Sequence, residues 1–229
     1  RRQRQMCIRD RYDYMENTKL GNYFKSSHYA DAQIGLLIEE LKKENMLDNT
    51  VIIIYGDHDA RIEKSEWNRF YNYDYKTSSI KSSDDESYVD IDYYFYEINK
   101  KVPFIIWSND EKFKTTLSKE IKEVGGMIDV GPTIMNLLGI HNKYFLGNDL
   151  LNKENNIVVF PNGNFVTDKV YYSELKNEYK LLKDVPIEEN YIENCKTYTE
   201  KIIDVSNDII VYNYFRKELS EVRFEKEWE

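Results

Sequence analysis

A run of five β-branched residues and a tyrosine occupies residues 50–55, and Gly56, Asp57 and His58 follow it directly. Such a run, with no alternation of apolar and polar residues, predicts a strand buried on both faces, as in a parallel sheet. Gly56 marks the point where the chain leaves the sheet. Since open α/β sheets bind their ligands outside the carboxyl ends of the strands, Asp57 and His58 lie where such a protein keeps its chemistry.

The segments around this strand have the helical and strand patterns of a mixed α/β protein. Residues 22–46 repeat apolar positions every three or four residues, which predicts a helix that turns directly into the strand. Residues 63–71 fit a second helix, and residues 72–87 fit a mobile surface loop. The aromatic residues 88–98 form either a partly covered edge segment or a platform for substrate, and residues 102–107 predict another core strand.

Two further patterns precede residue 140. Residues 110–124 fit a helix or, from about Leu117, a strand. Asp129 is in a position to cap a helix that runs to Leu138, with Pro132 in its first turn.

Beyond this helix the sequence changes to short strands. The Asn162-Gly163 pair is a strong hairpin signal, and the segments around it predict an antiparallel meander. Residues 188–216 then predict one or two helices. The predicted strands are residues 157–160, 164–167, 170–173 and 179–182.

Composition excludes some classes of protein. The 229 residues carry a formal net charge of −9, and no run approaches the ~18 apolar residues of a membrane span. An acidic body argues against a nucleic-acid surface, even though five arginines occur within residues 1–11. Cys7 and Cys195 have no CxxC partner, so they indicate nothing about disulfides. The chain does not begin with Met and has no signal peptide, so we expect a piece of a longer product.

The three histidines have different local settings. We expect structural or solvated roles for His28, at the start of a predicted helix, and for His141, which follows the helix-ending Gly139. His58 differs because it follows a predicted buried strand and has Asp57 beside it. Two interpretations are open from the residues alone: either the pair ligates a metal ion, or Asp57 caps the next turn and His58 is solvated.

An ordered set of motifs resembles the sulfatase-like branch of the alkaline phosphatase superfamily. Within this branch the sequence is most similar to lipoteichoic acid synthases and related phosphoglycerol transferases, over roughly residues 22–182. The motifs are His28-Tyr-Ala-Asp-Ala-Gln-Ile-Gly35, Leu47-Asp-Asn-Thr-Val-Ile-Ile-Ile-Tyr-Gly-Asp-His58, Val102-Pro-Phe-Ile-Ile106, Gly125-Gly-Met-Ile-Asp-Val-Gly-Pro-Thr-Ile-Met-Asn-Leu-Leu-Gly-Ile140, Leu146-Gly-Asn-Asp-Leu-Leu151 and Asn162-Gly-Asn-Phe-Val-Thr-Asp168.

The resemblance implies a role for each matching residue. Asp57 and His58 match the Gly-Asp-His metal ligands, and a carboxylate with an imidazole favours Mn²⁺, with Zn²⁺ or Mg²⁺ as alternatives. Sulfate-ester hydrolases of the superfamily commonly have an amide after this Asp, so His58 favours phosphorus chemistry. Asp129 with Pro132-Thr133 matches a structural helix start. Arg61 either meets an anionic substrate or forms a surface ion pair.

The resemblance also implies groups that this chain does not contain. Members of the branch have a threonine nucleophile, a further acidic metal ligand and substrate-binding His, Arg and Trp residues upstream of the matched region. Thr50, Thr133 and Thr167 are no credible substitutes for that nucleophile, so we expect the chain alone to be inactive. We also expect the intact protein to associate with the cell membrane through upstream helices and to hold its catalytic domain outside the cell.

We therefore expect an α/β protein, the C-terminal part of an alkaline phosphatase/sulfatase-like parallel-sheet sandwich with a small antiparallel sheet and C-terminal helices. Residues 1–21 are expected to be disordered or foreign, and residues 22–150 to belong to the catalytic domain. Residues 151–185 should form the small sheet and residues 186–229 a helical tail.

The function that the resemblance implies is transfer of phosphoglycerol from a phosphatidylglycerol-type lipid to a cell-envelope glycopolymer, with a divalent metal and without nucleic acid. The alternatives are a phosphoethanolamine transferase or a sulfatase of the same fold, and a non-catalytic domain that binds envelope polymer.

Overall fold

The computed structural model describes residues 13–117, 119–154 and 156–216, and the chain divides into two compact units between Lys119 and Glu120. The predictions for residues 1–12 and 217–229 lie outside the described residues. The predicted α/β class is confirmed.

The first unit combines helices with antiparallel strand pairs. Short 3-10 turns lie at Asp13–Met15 and Leu47–Asn49. The helices of its described residues are α1 (Lys19–Lys43), α2 (Lys64–Asn72), α3 (Tyr93–Ile98) and α4 (Glu111–Leu117), and the strands are β1 (Val51–Tyr55), β2 (Tyr73–Asp74), β3 (Ser79–Ile80) and β4 (Phe104–Ser108).

The helix α1 begins three residues earlier than the sequence predicted, because Thr18 caps it. The Thr18 hydroxyl accepts a hydrogen bond from the Gly21 N–H at 3.0 Å, which satisfies one of the free donors of the first turn. Met15 and Leu20 are fully buried on either side of this cap. Residues 13–21 are therefore folded, whereas the sequence indicated no structure before residue 22.

The apolar face predicted for α1 exists, but the described residues do not cover it. Tyr29 and Leu36 are 67% and 51% exposed, and Leu37 is exposed to a similar degree. His28 is also exposed and lies in the middle of α1, not at its start as predicted, because the helix begins earlier. Helical periodicity identifies residues that share a face, but it does not identify what covers that face.

The strand β1 pairs with β4 in antiparallel register, with Ile53 opposite Ile106. The prediction of a strand buried on both faces in a parallel arrangement is wrong for this pairing. The three isoleucines of β1 are only half-buried, and Val51 and Tyr55 are exposed. The β-branched run correctly predicted the strand, but two strands alone cannot bury both of its faces.

The strand β1 ends where its backbone passes close to β4. The Gly56 N–H donates to the Pro103 carbonyl at 3.0 Å. A Cβ atom at Gly56 would lie 2.7 Å from the Val102 Cβ, which is closer than two carbon atoms approach without displacement. Glycine at this position is therefore a packing requirement.

The second unit contains the predicted meander and two helices. The strands form one four-stranded sheet in the order β5-β6-β7-β8, with antiparallel neighbours. Gly163 has a φ of +83°, which fits the predicted turn between the first two strands. The elements are α5 (Met127–Leu137), β5 (Ile157–Val159), β6 (Phe165–Thr167), β7 (Val170–Ser173), β8 (Glu178–Leu181) and α6 (Tyr191–Val211).

A buried carboxylate holds the second unit together. The Asp129 side chain accepts hydrogen bonds from the Gly126 N–H at 2.9 Å, the Asn148 N–H at 2.7 Å and the Asn156 amide at 2.8 Å. Gly126 is the N-cap of α5, so Asp129 stands at the third helical position and Pro132 in the second turn. The sequence predicted Asp129 as the cap and so placed the start of this helix three residues too late, because a glycine cap has no side chain to signal it.

These hydrogen bonds connect α5 to the start of the meander, so residues 120–150 belong to the same compact unit as the small sheet. The predicted segments divided the chain at residue 150 instead. The core of this unit is formed by Phe165, Val170 and Tyr172, against which α6 packs through Ile192 and its neighbours.

We predict that Asp129→Ala lowers the free energy of unfolding of the chain by about 3 kcal/mol, because the Gly126 N–H, the Asn148 N–H and the buried Asn156 amide lose a charged acceptor. Urea denaturation followed by circular dichroism measures the change. Asp204→Ala is the matched control, since Asp204 is exposed on α6 and its loss should change the value by less than about 0.5 kcal/mol. Equal effects of the two substitutions would show that the Asp129 network does not stabilise this unit.

Gly56→Ala should also destabilise the chain, by about 1–3 kcal/mol, because the added methyl group overlaps Val102. Gly35→Ala is the control, and we expect the opposite sign for its effect on stability. No atom lies within 4 Å of a Cβ built at Gly35 in α1, so alanine should stabilise the helix by about 0.5–1 kcal/mol. Thermal unfolding of both variants tests the sign of each effect, and a stabilising Gly56→Ala would contradict the close packing.

Candidate functional site

The loop that follows β1 carries the predicted site residues and is fixed at both ends. At its start, Gly56 packs against Val102 and donates a hydrogen bond to the Pro103 carbonyl, just before β4. At its end, Ile62 is buried in the core of the first unit with Met15 and Leu20. The Ile62 carbonyl also accepts a hydrogen bond from the Tyr96 hydroxyl at 2.8 Å. The residues between these two anchors therefore form a short loop of defined path.

The imidazole of His58 is oriented by the backbone of the next residue. Its Nδ1 atom lies 2.6 Å from the Asp59 carbonyl oxygen. A carbonyl oxygen can only accept, so Nδ1 must carry the proton in this hydrogen bond. In the neutral imidazole the lone pair is then on Nε2, which is the form that binds metal ions.

Asp57 and His58 present their free donor atoms to each other and to solvent. The Asp57 Oδ1 atom lies 3.7 Å from His58 Nε2, and the two side chains are 83% and 60% exposed. A single ion about 2.1 Å from each atom can bridge a separation of this size. The structure therefore brings together the two predicted ligands with a carboxylate oxygen and an imidazole nitrogen available.

Arg61 lies in the same loop with its side chain exposed. Its backbone has a φ of +50°, and its N–H donates to the Asp59 carboxylate at 2.9 Å. No carboxylate of the described residues forms an ion pair with its guanidinium, so the surface ion pair that the sequence left open is not formed among them.

Asp59 is the residue of this loop that sequence reasoning missed. Its carbonyl fixes the His58 ring and its carboxylate fixes the turn before Arg61. The available signal was the aspartate itself. An aspartate side chain often accepts a hydrogen bond from the backbone N–H two residues later, which forms an Asx-turn.

The three threonines considered as nucleophiles all have structural hydrogen bonds. The Thr50 hydroxyl donates to the Met46 carbonyl at 2.7 Å, and the Thr133 hydroxyl donates to the Asp129 carbonyl at 2.6 Å. The Thr167 Oγ1 atom accepts from two backbone N–H groups of the β6–β7 turn. These contacts support the expectation that none of the three acts as the nucleophile.

Two negative findings apply to the described part of the chain. It has no group of three or more His, Cys, Asp and Glu residues placed to hold a metal ion, so Asp57 and His58 form a two-residue set. None of its helices has the length and apolar character needed to cross a bilayer. His141 is an exposed loop residue, as expected.

Comparison with known proteins places this chain in a family. The profile of the family described as Sulfatase matches residues 3–140, which is more than half of the chain. Lipoteichoic acid synthase 2 of Bacillus subtilis (strain 168) is 29% identical over 82% of the chain and 27% of its own length. Lipoteichoic acid synthase 1 of the same organism is 28% identical over 88% of the chain and 29% of its own length.

Lipoteichoic acid synthase of Staphylococcus aureus (strain USA300) is 30% identical over 85% of the chain and 28% of its own length. The chain thus spans just over a quarter of the length of these relatives. The profile match covers β1, the Asp57–His58 pair and α5. The chain belongs to the sulfatase family.

Proposed function

We propose that this chain is part of a metal-dependent transferase that moves phosphoglycerol from a phosphatidylglycerol-type lipid to a cell-envelope glycopolymer. The observation that carries the proposal is the Asp57–His58 pair, with its two donor atoms 3.7 Å apart at the end of β1. The relatives named lipoteichoic acid synthases support the choice of reaction. The proposal includes a location at the outer face of the cell membrane.

In this proposal Asp57 and His58 hold one side of a divalent metal ion, with Mn²⁺ as the preferred ion and Zn²⁺ or Mg²⁺ as alternatives. Their carboxylate oxygen and imidazole nitrogen suit a transition metal. When bound, the ion would polarise the phosphodiester and favour ionisation of the attacking hydroxyl. The Asp59 carbonyl accepts the Nδ1 proton of the neutral His58 ring, so the Nε2 lone pair is available to the metal ion.

Arg61 provides the positive charge of the loop. Its guanidinium has no carboxylate partner among the described residues, and it lies three residues after His58. Arginine binds phosphate through two parallel N–H donors, so it would hold the anionic head group of the donor lipid. The turn made by Asp59 fixes the backbone from which this side chain extends.

We propose further that the nucleophile and the remaining metal ligands come from sequence outside these 229 residues. The structural hydrogen bonds of Thr50, Thr133 and Thr167 support this. A metal ion of this type takes about four ligands, and the described residues offer two.

We expect the 229-residue chain to bind Mn²⁺ weakly and to lose that binding in His58→Ala. The loss follows because the imidazole is one of only two donors, so affinity should fall by at least about tenfold. The intensity of the free Mn²⁺ signal in electron paramagnetic resonance measures the bound fraction. Asp57→Ala should behave like His58→Ala.

His141→Ala is the control for this measurement, since His141 is an exposed histidine outside the site. It should bind Mn²⁺ like the unchanged chain. If both histidine variants lose the same amount of binding, the metal is held by scattered surface groups and the proposed site is wrong.

The reaction is tested with a fluorescent phosphatidylglycerol analogue. The 229-residue chain should release no diacylglycerol from it, whereas the full-length gene product should do so in a manner that requires His58. Phosphatidylethanolamine and an aryl sulfate are the comparison substrates. Turnover by the chain alone would contradict the proposal that the nucleophile lies outside these 229 residues. Preference of the full-length product for either comparison substrate would contradict the proposed reaction.

A further inference from the structure

Large apolar side chains are exposed where α5 and α6 of the second unit end. Ile210 and Val211 are the most exposed of them, at 73% and 72%. None of these side chains lines the cavity of about 330 Å³ that contains Lys169, between β5, the β6–β7 turn and α6. The exposed side chains are Leu138 and Ile140 at the end of α5, and Ile210, Val211, Tyr212 and Tyr214 at the end of α6.

A contact between two aromatic rings joins the two helix ends. The centre of the Tyr144 ring lies 5.3 Å from the centre of the Phe215 ring, with the planes nearly perpendicular. Each helix ends with a residue in the left-handed region, Gly139 with a φ of +69° and Asn213 with a φ of +49°. The segments that follow these two turns meet at the ring contact. The exposed side chains around it therefore form one surface, which we call the apolar patch.

The apolar patch differs in charge from the rest of the chain. Residues 137–148 and 209–216 form it, and neither range contains an Asp or a Glu. In the whole chain 41 of 229 residues are acidic, and the formal net charge is −9. The absence of acids from both ranges makes the patch a region that an anionic surface can approach without repulsion between like charges.

Two basic residues lie beside the apolar side chains. Arg216 directly follows Phe215 and is exposed. The Lys143 Nζ atom lies 4.9 Å from the centre of the Tyr144 ring. Long basic side chains pack their methylene groups on apolar surface and hold the charge at its edge. Aliphatic residues, tyrosines and basic residues on one surface are typical of segments that lie at the boundary between lipid head groups and acyl chains.

We propose that the apolar patch binds the surface of an anionic lipid bilayer, so that the second unit itself contacts the membrane. Ile210 and Val211 enter the boundary of the acyl chains, while Lys143 and Arg216 meet the lipid phosphates. The presence of a bilayer near the protein rests on the proposed function, whereas the patch rests on its own residues. The contact requires neither the metal ion nor the reaction.

The test is flotation of the 229-residue chain with lipid vesicles in the presence of a metal chelator. The vesicles contain equal amounts of phosphatidylserine and phosphatidylcholine. Phosphatidylserine is anionic but is not the proposed donor lipid, so recognition of the donor does not contribute. We expect the chain to float with these vesicles and to bind vesicles of phosphatidylcholine alone more weakly, because the basic residues then have no anionic surface to meet.

Ile210→Asp should weaken binding to the anionic vesicles by at least about tenfold, because the membrane loses one large apolar side chain and meets a negative charge instead. Arg216→Gln should weaken it by about fivefold, as expected for one basic residue near an anionic surface. Leu175→Asp is the matched control, since Leu175 is 88% exposed in the β7–β8 turn and lies outside the patch. It should bind like the unchanged chain, and circular dichroism verifies that each variant is folded.

Insertion of the patch is measured separately with Tyr212→Trp. Its added fluorescence, relative to the unchanged chain, should shift to shorter wavelength on anionic vesicles and be quenched by lipids with brominated acyl chains. Tyr179→Trp is the control, because Tyr179 is 46% exposed on β8 and lies outside the patch. Its added fluorescence should show neither change. Equal quenching of the two variants would contradict insertion through the patch.

Three outcomes overturn the proposal. One is absence of flotation with the anionic vesicles, and another is equal binding by Ile210→Asp and Leu175→Asp. The third is a dimer without vesicles that Ile210→Asp converts to a monomer in analytical ultracentrifugation, because the patch would then join two copies of the chain. His58→Ala should float like the unchanged chain, so failure of the metal proposal and failure of the membrane contact are distinguishable.

Discussion

The close packing of Gly56 against Val102 determines where β1 ends and therefore where the site residues lie. Because no side chain separates the two backbones, the Gly56 N–H reaches the Pro103 carbonyl and the chain leaves the strand at a fixed point. Ile62 returns the chain to the core only six residues later. Asp57, His58 and Arg61 are thus exposed side chains on a loop whose two ends cannot move freely.

The second unit depends on a different kind of interaction. Its buried charge, Asp129, is compensated by donors from three separated segments of the chain, and removal of a buried charge from water is tolerated only with such donors. This arrangement fixes α5 against the segment that leads into the meander. The meander in turn supplies one wall of the cavity that contains Lys169.

Much of the local structure was predictable from sequence because short-range rules determine it. The Asn162-Gly163 turn, the four strands around it and the positions of α2 and α6 follow from turn chemistry and periodicity. The direction of β1 relative to β4 was not predictable, since its partner lies about fifty residues away and a β-branched run does not encode direction. The exposure of Leu36 on α1 was missed for a similar reason. An apolar pattern shows which residues share a face, but it does not show whether another element covers that face.

The candidate site also has a part that the sequence predicts and a part that only the structure shows. The strand, the glycine and the adjacent acid and imidazole identified Asp57 and His58 from sequence, and the structure adds the tautomer that the Asp59 carbonyl selects. The cavity around Lys169 left no sequence signal, because its lining comes from β5, β6 and α6, which are separated along the chain.

The left-handed backbone of Arg61 has an energetic consequence. A residue with a Cβ atom in this conformation is less stable by roughly 1 kcal/mol than glycine would be. The hydrogen bond to Asp59 does not change this difference, because it uses the backbone N–H, which glycine also has. Glycine at this position would make the loop more stable but would remove its only positive charge. The loop thus keeps a positively charged side chain on a strained backbone, at a position where glycine would give a more stable fold. Such an exchange of stability for a charged side chain is typical of binding sites.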